Sequence, residues 1–142
     1  MSRREEEEED QVRVPITIAP VESIGGRISA VSSITCTVSK IVINSTQIPL
    51  SGGTIELEPG QNMTIKVTYS AAAPGASVWD TWHIGITCRM GNQFGWDPTL
   101  HTGKGPIGST AEIGNLKVPS SPETLSIKWY GKAGGYDEPP PG

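Results

Sequence analysis

Histidine and cysteine each occur only twice, phenylalanine once and leucine five times in 142 residues, and each scarcity excludes something. A Ser-His-Asp or Cys-His pairing would have to draw its base from His83 or His101, and no GxSxG elbow offers a nucleophile. A His/Cys metal site would need distant parts of the chain to bring His83, His101, Cys36 and Cys88 together, so no metal is expected. Lys104 stands in HTGKGP, but Pro98 occupies the position where a phosphate loop requires its first glycine. No apolar run approaches the ~18 residues of a membrane span. The start is acidic where a signal peptide needs a basic region and then an apolar one. The expectation is a protein that is not an enzyme, has no cofactor, and is made in the cytoplasm without export or membrane contact. Without export, the sequons Asn44-Ser45-Thr46 and Asn62-Met63-Thr64 are chance matches.

Clustered basic residues are missing too. Residues 1–10, MSRREEEEED, carry six acids and two bases, which accounts for the whole net charge of −4; residues 11–142 hold nine of each. The nine bases, Arg13, Arg27, Lys40, Lys66, Arg89, Lys104, Lys117, Lys128 and Lys132, are scattered rather than gathered as a phosphate-binding surface requires, so nucleic acid is not expected as a partner. The run Glu5 to Asp10 repels itself and has no apolar face, and reads as a disordered arm over residues 1–11. A Pro/Gly-rich tail is expected over 132–142, leaving one domain over 12–131.

What is abundant is β-forming. Fifteen Ile, nine Val and thirteen Thr stand against eight Ala, with 17 Gly and 12 Pro as punctuation. Side chains branched at Cβ fit a pleated surface and lose rotamer freedom in a helix. Period-two alternation runs through Val12, Val14, Ile16 and Ile18, where Pro15 suggests an edge strand. It continues from about Arg27 to Ser39 with Ile34, Cys36 and Val38 on one face. It then shifts phase at Ile41 and Ile43, which predicts a bulge or a new strand. Turns at Ser51-Gly52-Gly53 and Pro59-Gly60 separate strands carrying Ile55 and Leu57, then Met63, Ile65, Val67 and Tyr69. Leu125, Ile127 and Trp129 mark a last strand. No window has helical period with caps, so the fold class is all-β: a two-sheet antiparallel sandwich of about seven to nine strands.

The stretch WDTWHIGITCRM gathers chemistry-bearing side chains, yet it alternates strictly. Trp82, Ile84, Ile86, Cys88 and Met90 take one face, and Thr81, His83, Gly85, Thr87 and Arg89 the other. His83 and Cys88 therefore point apart and cannot share a metal within one strand. Cys36 and Cys88 both fall on apolar faces. Either they close a disulfide across the sandwich or they remain two buried thiols, the outcome cytoplasmic synthesis favours. Residues 91–110, GNQFGWDPTLHTGKGPIGST, show no clear period and read as a long loop, holding the candidate binding residues Phe94, Trp96, Asp97, His101 and Lys104. Its aromatics suit stacking on a sugar or anchoring a protein contact, or else folding back to cap the open end of the sandwich.

The hairpin LEPGQNMTIKVTY, the long alternating TWHIGITCRM and the two core-facing cysteines together resemble an immunoglobulin-like β-sandwich of the adhesion or virion-surface type, over roughly residues 27–130. That resemblance implies the sandwich class and a role in binding, adhesion or assembly. The expected function is a non-catalytic structural or assembly protein, a capsid decoration or tail component of a virion. Its partners would be other subunits in a homo-oligomer or lattice. The alternative is a carbohydrate- or protein-binding module using the 91–110 loop, with a glycan as ligand.

Overall fold

The alternating β-branched segments form ten strands in the computed structural model of the chain, which describes residues 12–26 and 34–133. The expected acidic arm, the tail from 134 onward and the 27–33 part of the expected second strand lie outside the described residues. The strands are β1 (Val14–Ile18), β2 (Glu22–Gly26), β3 (Thr35–Ile43), β4 (Thr46–Ile48), β5 (Gly53–Leu57), β6 (Asn62–Ala72), β7 (Thr81–Met90), β8 (Gln93–Thr102), β9 (Ile107–Lys117) and β10 (Glu123–Ala133). No helix occurs among the described residues. One sheet has the order β5-β1-β10-β7-β8, with β2 also on β10; the other has the order β4-β3-β6-β9. β1 and β2 both run parallel to β10, end to end, so they act as one interrupted strand and bring the count to nine, within the expected seven to nine. β10 itself continues to Ala133, two residues past the expected domain end.

The core is drawn from both sheets, as a sandwich requires. Val14, Ile16 and Ile18 from β1 are buried with Met63, Ile65, Val67 and Tyr69 from β6, and with Trp82, Ile84, Ile86, Cys88 and Met90 from β7. These are the residues that alternation turns inward. Each buried Val, Ile or Met side chain contributes roughly 1.5–3 kcal/mol relative to exposure.

Two expectations are corrected. β1 is an interior strand, flanked by β5 and β10. Pro15 is tolerated because the parallel ladder with β10 begins only at Ile16, leaving Pro15 without a registered partner on that side. Residues 91–110 are not a loop: they contain all of β8 and the start of β9. Of the two alternatives for the cysteines, the structure has the free thiols: they stand in different sheets, buried Cys88 on β7 opposite Ile127 and Gly95 and half-buried Cys36 on β3 opposite Ala71. The expected phase change in the second strand is present, as a register shift against β6 between Val38 and Lys40. β3 then turns into β4 through Asn44 and Ser45, both at positive φ (48° and 76°), the geometry of a two-residue hairpin turn that matches strand twist.

Candidate functional site

β8 carries most of the candidate residues, and its pleat divides them. β7 and β8 pair antiparallel from Thr81↔Thr102 to Met90↔Gln93. Directly opposed residues share a face, so Phe94, Trp96, Pro98 and Leu100 stand with Arg89, Thr87, Gly85 and His83 on the outside of the six-stranded sheet. Gln93, Gly95, Asp97, Thr99 and His101 turn the other way. Phe94 and Trp96 are thus brought together, while Asp97 and His101 are separated from them by the sheet itself. Lys104 lies in the turn beyond β8, where its Nζ donates to the carbonyl of Pro74 at 3.3 Å.

The inward set joins the two sheets along one side. Asp97 Oδ2 accepts the backbone N–H of Glu112 at 2.8 Å. Gln93 Oε1 accepts the N–H of Lys117, and its Nε2 donates to the carbonyl of the same residue, both at 2.8 Å. Asn115 Nδ2 donates back to the carbonyl of Phe94 at 3.1 Å. β8 and β9 are edge strands of opposite sheets, and these bonds use backbone groups that an edge would otherwise offer to another chain. The approach is close: a Cβ on Gly95 would stand 2.3 Å from Asn115 Oδ1 and 2.6 Å from Ile113 Cγ2. Only glycine fits there.

His101 is structural as well. It is buried between Tyr69, whose hydroxyl lies 3.0 Å from its Nε2, and Trp82, with ring centroids 5.0 Å apart. Burial, and secondarily the nearby His83, lowers its pKa below the usual 6.5. Burial raises the Tyr69 pKa, opposed by hydrogen bonds with Thr99 and Ser109. Trp82 Nε1 donates to the carbonyl of Gly103 at 2.8 Å. Asp97 and His101 are therefore committed to holding the sandwich together.

The outward set is a row pattern three strands wide. β10 lies on the other side of β7, so each β8–β7 pair has a third member: Phe94–Arg89–Ser126, Trp96–Thr87–Lys128, Pro98–Gly85–Tyr130 and Leu100–His83–Lys132. Arg89 stacks over the Phe94 ring, 4.5 Å from its centroid. Tyr130 lies across Gly85, where a Cβ would meet its ring at 2.2 Å, so the missing side chain of Gly85 is the tyrosine's seat. His83 is buried on this face, and its Nδ1 has no hydrogen-bond partner among the described residues. Alternation pointed Tyr130 outward but gave no sign of its burial, whose only signal is the glycine opposite.

Two further features were missed. Val78 and Trp79, on the loop that leads into β7, and Leu100, near the end of the neighbouring β8, are 67 %, 86 % and 52 % exposed. The loop bearing the first two has a fixed shape. Ser77 N–H donates to Asp80 Oδ2 at 2.9 Å, Trp79 N–H to Ser77 Oγ at 3.2 Å, and Gly103 N–H to the carbonyl of Asp80 at 3.0 Å. The second feature is a cavity of about 270 Å³ lined by Val21, Cys36, Thr37, Val38, Leu50 and Trp129. Burial pushes the thiols of Cys36 and Cys88 up to about 12, far from reactivity at neutral pH. Among the described residues no three His, Cys, Asp or Glu side chains gather to hold a metal ion. Compared with known protein families, curated proteins and solved structures, the chain matches none.

Proposed function

We propose that this protein is a non-catalytic structural component that acts by assembling with other protein subunits, and that the Val78–Trp79–Leu100 corner is a contact point. The exposure of those three apolar side chains, two on the loop before β7 and one near the end of the paired β8, carries the proposal. Tryptophan is among the residues that dominate interface energetics. The hydrogen bonds of Ser77, Trp79 and Asp80 fix the loop beforehand, which reduces the ordering cost of binding. A virion setting, as a capsid decoration or tail component, is supported by the acidic start, the electrically balanced remainder and the sandwich architecture. Likeness to immunoglobulin-like domains is proposed in the broad sense of two face-to-face, mainly antiparallel sheets. Light scattering over a range of concentrations tests the assembly reading: an oligomer is expected, weakened in Trp79→Ala with unchanged thermal stability. A monomer at every concentration would refute it.

A second reading, carbohydrate binding, is favoured by the shared outward face of Phe94 and Trp96, since aromatic rings on a sheet surface can stack on sugars. Glycan-array binding that is lost in Trp96→Ala would select it.

A further inference from the structure

The cavity of about 270 Å³ takes its walls from both sheets: Cys36, Thr37 and Val38 on β3, Trp129 on β10, and Val21 and Leu50 on the segments that lead into β2 and β5. Thr37 and Leu50 are exposed, so it opens to solvent, and none of the six lining residues is charged. Its β3 wall also has backbone groups to satisfy. β4 pairs with β3 only from Ile41 to Ile43, so along Thr35 to Ser39 β3 has β6 on one edge and no strand on the other among the described residues. The occupant that suits such a space is an uncharged apolar ring carrying a hydrogen-bond donor. A cavity of roughly 150 Å³ accommodates benzene, which leaves room here for the two fused rings of an indole. A buried indole N–H needs an acceptor, and carbonyls on the open edge of β3 are acceptors.

The chain presents such a group. Among the described residues Trp79 is the one exposed aromatic side chain, so it does not occupy the cavity of its own chain. Its loop is held before any partner arrives by the bonds of Ser77 N–H to Asp80 Oδ2, Trp79 N–H to Ser77 Oγ and Asp80 N–H to the carbonyl of Ser77. An indole carried on a fixed loop loses little freedom on docking. Val78 beside it is exposed and apolar, as Leu50 is at the mouth of the cavity.

We propose that Trp79 of one copy of this chain inserts its indole into the cavity between Cys36 and Trp129 of a second copy. Val78 then lies against Leu50 at the mouth, and the indole Nε1 donates to a β3 carbonyl between Thr35 and Ser39. The proposal rests on the assembly reading above and names the surface that its corner meets. Knob and cavity belong to different parts of the surface, so the contact either closes reciprocally about a two-fold axis or repeats head to tail into a ring or filament.

The test is sedimentation of the full chain over a concentration series for wild type, Trp79→Ala, Val38→Phe and Leu50→Glu, with thermal unfolding as a folding control. Val38→Phe fills the cavity from its wall. Leu50→Glu sets a charge at its mouth on an exposed side chain, which keeps the test informative if the first variant disturbs the core. Each of the three is expected to weaken association by about tenfold or more, the loss typical of a truncated tryptophan anchor. An equimolar mixture of Trp79→Ala and Leu50→Glu should associate more tightly than either alone, because one brings the open cavity and the other the indole. Association weakened by Trp79→Ala but not by Val38→Phe or Leu50→Glu overturns this proposal and leaves assembly through the Trp79 corner standing. Weakening in all three with no recovery in the mixture also overturns it, since the indole then meets something other than the cavity. Added indole that raises the Tm of wild type without competing with its association overturns it in favour of a small aromatic ligand. A wild type that is monomeric at every concentration removes both the proposal and the assembly reading.

Discussion

Replacing Gly95 by alanine adds one methyl group on β8 where it packs directly against β9. Its Cβ would stand 2.3 Å from Asn115 Oδ1, 2.6 Å from Ile113 Cγ2 and 3.1 Å from Leu116 Cδ1, and Leu116 belongs to the fully buried core. β9 must move outward or three side chains must leave their rotamers, an overpacking that costs roughly 1–3 kcal/mol. Movement of Asn115 also endangers its bond to the carbonyl of Phe94, for about 0.5–1.5 kcal/mol more. The sum, about 1.5–4.5 kcal/mol, lowers Tm by very roughly 5–20 °C in a domain of this size. Gly114, exposed on β9 and with nothing within 4 Å of its Cβ position, provides the control. Gly114→Ala should be neutral or stabilise by a few tenths of a kcal/mol through the unfolded chain. Urea unfolding followed by tryptophan fluorescence measures both. Equal midpoints for Gly95→Ala and Gly114→Ala would refute the close approach of β8 to β9.

The lowered His101 pKa makes stability depend on pH. The unfolded chain takes up a proton near pH 6.5 while folded His101 resists it, so its contribution is complete above 6.5 and is lost as pH falls below it. Urea midpoints should decline between pH 7 and 5, and His101→Gln should flatten that slope; an unchanged slope would argue against a neutral buried imidazole. Thiol reactivity is a second check, because a pKa of about 12 in place of 9.0 leaves about a thousandfold less thiolate at pH 8. Cys88 should react with a disulfide reagent only on unfolding, and reductant should leave Tm unchanged; a fall in Tm on reduction would mean a bridge.

Strand β7 was legible from sequence because its inward positions are wholly apolar. β8 was not, although it alternates just as strictly, with Phe94, Trp96, Pro98 and Leu100 on one parity. Its apolar face points away from the core, and its inward positions are Gln93, Gly95, Asp97 and His101, which hydrogen-bond or make room for β9 and Tyr69. A search for apolar-inward alternation misses a strand whose inward face is polar. Pro15 misled for a related reason: it marks where one ladder begins, which need not be an edge. Parity correctly turned Cys36 and Cys88 toward the interior, but it carries no information on which residues meet across the sandwich. Trp129 shows the same limit, facing inward yet only partly buried because it borders the Cys36 cavity.

Positions 79 and 97 separate the contact corner from the clamp between the sheets most directly. Trp79→Ala and Asp97→Ala should be compared for both sedimentation and thermal unfolding. Trp79→Ala is expected to weaken self-association with at most a minor change in Tm, because its side chain is exposed, and Asp97→Ala to lower Tm by releasing the Glu112 N–H while leaving association per folded molecule unchanged. The opposite pattern, with association following Asp97 and stability following Trp79, would contradict the division between a contact corner and a clamping strand.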